Sequence, residues 1–361
     1  MMMVQVHVSK IKTGHVLLED VLTSRGSTLF YKGRVLDERD IEILRAFMIS
    51  EVSLQSSSKH EEVAEDEDVV EIRSKETVNQ QFEQKYDSLL QLMKRVFKNT
   101  SIAENLPIVE MRAHLDSMVP FFESQDLLTY SPAKYMPEDY IYHKSIMVAF
   151  TAYMIASWSS FQQKDLIPIA LAGLLHDIGN MGIDPQILNK PERLTAQEME
   201  EMKKHTIIGY NRLKQVLGIT EGVKLAALQH HEREDGSGYP LGVSGDKIHL
   251  YAKVVAIADI FYAMTRSRRY RNAKSPYEVL DQLMQDSFGR LSPSLVQTFV
   301  YRLTQRQIGY TIRLSNGAIG KIVFAEQANP TRPWVDVNGK IVNLAQERSL
   351  KITEVISRHV E

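Results

Sequence analysis

The sequence predicts a mainly α-helical protein, in which a helical bundle lies between a small N-terminal α/β domain and a short C-terminal β module. Three observations predict this class. Apolar residues recur at helical spacing over most of residues 75–305. Residues 4–8 alternate valine with other side chains, as in a half-buried strand. Near the C-terminus, Asn316-Gly317 and Asn338-Gly339 are strong signals for hairpin turns.

The N-terminal α/β domain is predicted over residues 1–56. A turn at Arg25-Gly26-Ser27 separates two short strand-like segments, and Asp37 is placed to cap a following helix. Residues 52–54 then return to the sheet. No catalytic residues stand in a recognisable spacing here, so a regulatory or interaction module and a plain folding appendage both remain open.

Residues 57–74 are predicted to be an acidic linker. Acidic side chains are concentrated in Glu61–Asp68 with few apolar neighbours, and like charges at this density repel one another. An acidic metal-binding segment is the alternative. The linker interpretation is favoured because the run lacks the glycine-punctuated spacing of a calcium loop.

The helical domain is predicted over residues 75–305. Two apolar stripes step by three and four residues, with a kink or boundary expected at Pro120. Packing within a bundle is favoured over a dimeric coiled coil, since sustained heptads are missing. Thr195 and Glu198 form a capping-box pattern at the start of a later helix. The stripes comprise Val78, Phe82, Tyr86, Leu89, Met93 and Val96, then Ile108, Met111, Leu115, Met118 and Phe122.

The tail, residues 306–361, is predicted to be a β-hairpin module, because alternating apolar residues flank both Asn-Gly turns. Elsewhere the most apolar stretch is Ile146–Trp158, which is too short for a membrane span and predicts a buried core helix. The N-terminus lacks the basic start and apolar core of a signal peptide.

Composition excludes several classes of function. With 43 basic and 45 acidic residues, the net charge is −2, which argues against a broad surface for long nucleic acid. A local pocket for a small phosphate ligand stays open. The chain has no cysteine, which excludes disulfides, thiolate zinc sites and cysteine nucleophiles. A reducing cytoplasmic location fits this composition.

The candidate chemistry lies in histidines and aspartates of the helical body. Each of them alone is more typical of a surface pair or a satisfied core residue. Together they favour a metal site, because a carboxylate in an apolar run needs a cation and imidazole with carboxylate suits iron, manganese or zinc. Enough ligands exist for two ions sharing Asp177. The residues are His176, Asp177, His205, His230, His231 and Asp259.

The spacing of these residues resembles the HD-GYP domain family over about residues 125–290. The matching motifs run in the family's order, and residues 4–54 are similar to a domain often found ahead of HD-GYP domains. The motifs are His176-Asp177-Ile-Gly, Ile187-Leu-Asn-Lys-Pro191, Lys204-His205-Thr-x-x-Gly209, His230-His231-x-x-x-Asp-Gly-Ser-Gly-Tyr-Pro240, and Ala258-Asp259 through Tyr270-Arg271.

The resemblance implies an HD-type helical bundle that holds two divalent ions, usually iron or manganese. It implies cyclic di-GMP as the substrate, opened to the linear dinucleotide or cut to GMP. Two ions would polarise the phosphodiester and stabilise the leaving 3′-oxygen. By the resemblance, His176, Asp177 and Asp259 bind one ion, and Asp177 bridges to a second ion held by His205, His230 and His231; Arg268, Arg271, Tyr239 and the position of Asn180 meet the substrate.

Three positions depart from the family pattern. Lys144 replaces the first metal-ligand histidine, with His143 one helical step of about 100° away. Asn180 replaces a lysine, and Tyr262 replaces an aspartate. A protonated lysine has no lone pair for a metal and would repel an ion.

Two hypotheses of function follow. The first is a metal-dependent phosphodiesterase for cyclic di-GMP or a related cyclic dinucleotide. The alternative, motivated by the three departures, is a degenerate domain that binds a cyclic dinucleotide or a partner protein as a sensor without turnover. A hydrolase of another phosphate ester also stays open. The Gly-Tyr-Pro loop is the candidate surface for a signalling partner, and a homodimer is a further expectation.

Overall fold

The computed structural model describes most of the helical body and parts of both ends. The predicted turn at residues 25–27, most of the predicted linker, Arg268 and Arg271 lie outside the described residues. Those described are 3–8, 11–22, 28–46, 49, 51–55, 67–98, 106–122, 125–130, 132, 135–265 and 275–358.

The chain divides into two compact units. The first comprises residues 1–71, 307–351 and 356–361, so both ends of the chain belong to it. The second comprises residues 72–306 and 352–355 and contains the candidate functional residues.

In the first unit, the N-terminal segment forms short antiparallel strand pairs and one helix. β1 pairs with β4, which confirms the strand predicted at residues 4–8 and the returning strand at 52–54. β2 pairs with β3. Asp37 caps α1, since its Oδ1 accepts a hydrogen bond from the Asp40 N–H at 2.8 Å. The elements are β1 (Met3–His7), β2 (Val21–Leu22), β3 (Thr28–Phe30), α1 (Glu38–Ala46) and β4 (Glu51–Gln55).

The C-terminal part forms a five-stranded sheet in the order β8-β7-β6-β5-β9. Both predicted hairpins are confirmed. β5 and β6 flank Asn316-Gly317, and β7 and β8 flank Asn338-Gly339, whose φ angles of 53° and 80° suit a tight two-residue turn. The strands are β5 (Tyr310–Leu314), β6 (Ile319–Phe324), β7 (Trp334–Val337), β8 (Lys340–Asn343) and β9 (Ile352–Arg358).

The rest of the described chain is mainly helical, which confirms the predicted fold class. The last helix ends at Gln305, as the periodicity predicts. The helices are α2 (Glu67–Lys98), α3 (Ile108–Phe122), α4 (Tyr140–Trp158), α5 (Gln163–Leu175), α6 (Pro185–Leu188), α7 (Ala196–Lys203), α8 (His205–Lys214), α9 (Glu221–Gln229), α10 (Leu250–Thr265), α11 (Pro276–Asp286) and α12 (Pro293–Gln305).

Helices α2 and α3 follow the predicted stripes. The buried side chains of α3 are those of the second stripe, and the described members of the first stripe from Phe82 onward are buried. Helix α2 begins at Glu67, eight residues before the periodicity becomes strong. Pro120 lies inside α3, which continues for two more residues to Phe122.

Helix α4 forms the centre of the second unit, which confirms the core helix predicted at Ile146–Trp158. It packs against α5 and α10, and both of these also pack against α9. Helix α8 packs against α9 and against a 3-10 turn, Ile178–Gly182, that follows α5. Helix α9 thus contacts α5, α8 and α10 in this unit. No helix among the described residues is both long and apolar enough to span a membrane.

Candidate metal centre

The predicted ligands lie at helix ends that converge in the second unit. His176 follows the last residue of α5, and Asp177 begins the 3-10 turn. His205 is the first residue of α8, His230 caps the C-terminus of α9, and Asp259 lies within α10. The prediction that the His-Asp pair ends an apolar helix is confirmed.

Gly179 allows the 3-10 turn to approach α8 closely. A Cβ at this position would lie 1.8 Å from the His205 carbonyl oxygen and 2.6 Å from the Gly209 nitrogen, which no side chain can meet without a backbone shift. The contact places Asp177 beside His205, from a segment 28 residues earlier in the chain.

Three histidines and one carboxylate oxygen form what we call the histidine half: His205, His230, His231 and Asp177 Oδ1. Asp177 Oδ1 lies 3.4 Å from His205 Nε2 and 3.7 Å from His230 Nε2. The two Nε2 atoms are 3.4 Å apart. One ligand atom from each of the four residues lies within 4.8 Å of all the others, so a single ion can contact all four.

The hydrogen bonds of two of these rings leave their Nε2 atoms available to a metal. His205 Nδ1 donates to the Met202 carbonyl at 2.7 Å, and His230 Nδ1 donates to the Ala226 carbonyl at 3.0 Å. Because a carbonyl oxygen only accepts, the neutral ring carries its proton on Nδ1 and a lone pair on Nε2.

Burial keeps the three histidine rings of the histidine half uncharged. It lowers the pKa of His205, lowers the pKa of His230 to about 4 and holds the pKa of His231 well below its usual range. At neutral pH all three rings are therefore neutral, which is the form that binds metal. The donor set of imidazoles and one carboxylate fits a divalent transition-metal ion.

The opposite side of the cluster is formed by Lys144, His176, Asp259 and Asp177 Oδ2, which we call the lysine half. Lys144 Nζ donates a hydrogen bond to Asp177 Oδ2 at 2.7 Å and lies 2.7 Å from Asp259 Oδ1. His176 Nε2 lies 3.2 Å from Asp177 Oδ2 and 3.7 Å from Asp259 Oδ1. Asp177 thus directs one oxygen to each half.

The charges of the lysine half stabilise one another. Burial opposes the charge of Lys144, but the carboxylates of Asp177 and Asp259 outweigh it and raise the pKa of the ammonium. Burial also opposes the charge of His176, yet Asp177 raises its pKa to about 9. The pKa values of both carboxyls lie well below their usual range despite burial, because His176 and Lys144 favour the charged forms.

Of the two candidates on α4, Lys144 rather than His143 faces the cluster. His143 is buried on another side of the helix, where Tyr86 Oη lies 2.8 Å from its Nδ1 and its ring stacks on the Tyr86 ring. The one-residue offset predicted from helical geometry therefore decides which side chain reaches Asp177.

The loop after α9 covers the histidine half. The Tyr239 ring stacks on His231 at 4.6 Å between centroids, and Lys203 Nζ lies 5.5 Å from the Tyr239 ring centre. Buried Glu232 fixes the loop, since its Oε1 accepts a hydrogen bond from the Leu241 N–H at 2.7 Å. Burial raises the pKa of Tyr239, which keeps its hydroxyl protonated as a hydrogen-bond donor.

The remaining predicted positions lie near the cluster or outside the described residues. Asn180 is buried in the 3-10 turn, where its backbone N–H donates to the Asp177 carbonyl at 3.0 Å. Tyr262 is buried with its ring 6.1 Å from that of Tyr140. Arg268 and Arg271 have no described placement, so their assignment to substrate phosphate stays a prediction.

Sequence reasoning missed two contributions. The first is Glu232: no sequence signal distinguishes it from other residues beside the histidines or marks it as the residue that fixes the loop. Lys144 was expected only to repel a metal. It is the one lysine, arginine or acidic residue in Tyr140–Trp158, and this isolated charge on an apolar helix signals a buried partner.

Known proteins share this part of the chain. Residues 124–295 match the family described as HD domain. A cyclic di-GMP phosphodiesterase of Pseudomonas aeruginosa is 32% identical over 55% of this chain and 48% of its own length. A 3′3′-cGAMP-specific phosphodiesterase of Vibrio cholerae is 38% identical over 36% of this chain and 30% of its own length. The chain thus spans about half or less of these relatives.

Among solved structures, the HDG"Y"P protein of Bdellovibrio bacteriovorus is similar over 82% of this chain and 98% of its own. Its sequence identity is 16% and the TM-score is 0.48.

Proposed function

We propose that this chain, which carries an HD domain of the HD-GYP type, is a metal-dependent phosphodiesterase that hydrolyses a cyclic dinucleotide. The observation that carries the proposal is the histidine half. Three neutral imidazoles and a carboxylate oxygen from three separate helix ends present ligand atoms within 4.8 Å of one another. A buried carboxylate beside three neutral imidazoles is costly without a cation, and a divalent ion would supply one.

The reaction adds water across one phosphodiester bond. A new P–O bond forms at phosphorus, the bond to the 3′-oxygen breaks, and that oxygen takes a proton, leaving a linear dinucleotide with one 5′-phosphate. A divalent ion in the histidine half would supply Lewis-acid stabilisation of the phosphoryl charge. Iron or manganese suits imidazole and carboxylate ligands.

Several side chains act around that ion. Asp177, His205, His230 and His231 would hold it, while the backbone carbonyls behind His205 and His230 fix the orientation of those rings. Tyr239, stacked on His231 and protonated, is placed to donate a hydrogen bond to a phosphate oxygen. Lys144 supplies a fixed positive charge on the far side of Asp177.

The substrate class follows from the names of the relatives, which act on cyclic di-GMP or on 3′3′-cGAMP. We propose cyclic di-GMP as the substrate, with a linear dinucleotide or GMP as product. Arg268, Arg271 and Asn180 stay proposed contacts for it. A cytoplasmic location, a signalling partner at the Gly-Tyr-Pro loop and a homodimer also stay proposals.

The test is hydrolysis by purified protein loaded anaerobically with Fe²⁺ or Mn²⁺. Cyclic di-GMP, 3′3′-cGAMP and a simple phosphate monoester are compared, and the products are separated by chromatography and identified by mass. We expect a linear product from a cyclic dinucleotide and none from His230→Ala. Absence of product with either ion, beside an active control enzyme, would refute the proposal.

A second function is favoured by one observation, the contact of Lys144 with both carboxylates of the cluster. A domain in which the Lys144 ammonium replaces a metal ion is suited to bind the phosphates of a dinucleotide as a sensor, without hydrolysing it. Calorimetric binding of cyclic di-GMP to metal-loaded protein that yields no product would favour the sensor over the phosphodiesterase.

A further inference from the structure

Lys144 lies where two carboxylates of the cluster meet. Its Nζ is 2.7 Å from Asp177 Oδ2 and 2.7 Å from Asp259 Oδ1, and its side chain is 12% exposed. Lys144 lies on the apolar helix α4, and its side chain points toward the cluster. The ammonium is therefore held in the cluster by a hydrogen bond to Asp177 Oδ2 and an ion pair with Asp259 Oδ1, rather than extended into solvent.

An ion in the lysine half would need the oxygen atoms that Lys144 already contacts. Divalent ions bind carboxylate oxygens at about 2.0–2.2 Å. Asp177 Oδ2 and Asp259 Oδ1 both lie in contact with Nζ, so an ion would have to share them with an ammonium of the same sign. Like charges this close and this buried repel strongly.

We infer that the ammonium of Lys144 takes the place of one cation of a two-ion centre, so that each chain binds a single divalent ion, in the histidine half. Asp177 then bridges an ion and an ammonium instead of two ions. The inference rests on the metal binding that the proposed function requires, and it revises the expectation of two ions.

The remaining side chains of the lysine half support this role for Lys144. His176, Asp177 and Asp259 are all present, and among the described residues His176 Nε2 and Asp259 Oδ1 make no well-formed hydrogen bond. These atoms are able to ligate an ion once the ammonium is removed. Among the described residues, Lys144 is thus the side chain whose removal would free this half for a second ion.

The experiment counts metal ions per chain. Wild-type protein, Lys144→His and Lys144→Ala are saturated with Mn²⁺ anaerobically, freed of unbound ion and analysed by elemental analysis and electron paramagnetic resonance. We expect one ion and an uncoupled signal for the wild type. For the variants we expect a second ion, with a signal from two coupled ions.

Lys94→Ala is the matched control, because Lys94 Nζ also pairs with an aspartate, Asp139 Oδ2 at 2.6 Å, away from the cluster. It is expected to keep one ion. Two coupled ions in the wild type would overturn the inference, as would equal ion numbers in wild type and folded Lys144 variants. Two variants are used so that a folding failure of one leaves the test intact.

The ion count and the hydrolysis assay fail independently. If no cyclic dinucleotide is hydrolysed while the wild type binds one ion and Lys144→His binds two, the proposed function is wrong and the role of Lys144 stands. If the wild type hydrolyses its substrate with two coupled ions bound, the role of Lys144 is wrong and the function stands.

Discussion

The histidine half and the lysine half share Asp177, yet they satisfy its two oxygens in opposite ways. In the histidine half, burial lowers the pKa of each ring, so the groups facing Asp177 Oδ1 are neutral at neutral pH. In the lysine half, an ammonium contacts Asp177 Oδ2 directly. The first half needs a cation from outside the chain, and the second carries its own.

This difference shows that a set of ligand residues does not by itself fix the number of ions. His176, Asp177 and Asp259 are residues of the kind that bind metal ions, and they lie close together. From the sequence pattern alone, an ion is expected beside them as readily as beside His205, His230 and His231. One neighbouring side chain on α4 decides between an ion and an ammonium, because both satisfy the same buried carboxylates.

The largest effect is expected from removing that ammonium without supplying an ion. In the presence of a chelator, Lys144→Ala leaves two buried carboxylates without their lysine, and we expect the free energy of unfolding to fall by about 3–5 kcal/mol. Urea unfolding followed by circular dichroism measures this. Saturating Mn²⁺ is expected to restore much of the loss, and equal stability of variant and wild type in chelator would contradict the contrast between the halves.

The histidine half is tested by removing one of its ligands. His230→Ala is expected to lose the bound ion and to lower the rate of dinucleotide hydrolysis more than about 100-fold, since changes to residues that only support a ligand already cost 10–100-fold. The control is His114→Ala, a partly exposed histidine on α3. A variant that keeps both ion and rate would show that the ion does not bind there.

Much of the fold and part of the candidate site were predictable from the sequence. Apolar periodicity predicts the buried residues of α3 and most of the described buried residues of α2, where it omits Leu90 and Leu92. The Asn-Gly turns predict both hairpins, because these signals are local. The His-Asp pair after an apolar helix and Asp259 inside another predict a buried cation. The resemblance of the motifs to the HD-GYP family predicts the match of residues 124–295 to the HD domain family.

What the sequence could not supply is the outcome of contacts between distant segments. Lys144 is 33 residues from Asp177 and 115 from Asp259 in the chain, so no local pattern shows that one ammonium contacts both carboxylates. The same holds for Glu232 and its backbone contact at Leu241, which depends on how the glycine-rich loop turns back.

A smaller effect is expected from moving Asp177 relative to α8. Gly179→Ala places a Cβ against the His205 carbonyl, so the turn that carries Asp177 must shift away from α8 and from His205. We expect the affinity for Mn²⁺ to fall about 10-fold, as for a change in a supporting residue. Titration calorimetry measures it. Gly182→Ala is the control, because its Cβ would meet the movable side chains of Ile208 and Arg212 rather than backbone. Equal losses of affinity in both variants would refute the mechanism.

The smallest effect is expected from the ion pair of Lys94 and Asp139, which repeats the lysine–aspartate chemistry without the burial. The two side chains are 24% and 11% exposed, against 12% and 5% for Lys144 and Asp177, and within the described part of the chain Lys94 pairs with one carboxylate. Water therefore solvates the partner that remains after Lys94→Ala, and we expect a loss of at most about 1 kcal/mol in urea unfolding. If Lys94→Ala lost as much stability as Lys144→Ala, the loss in Lys144→Ala would be the general cost of breaking a lysine–aspartate pair. The contact of one buried ammonium with two carboxylates in the lysine half would then not be the reason for the larger loss of stability.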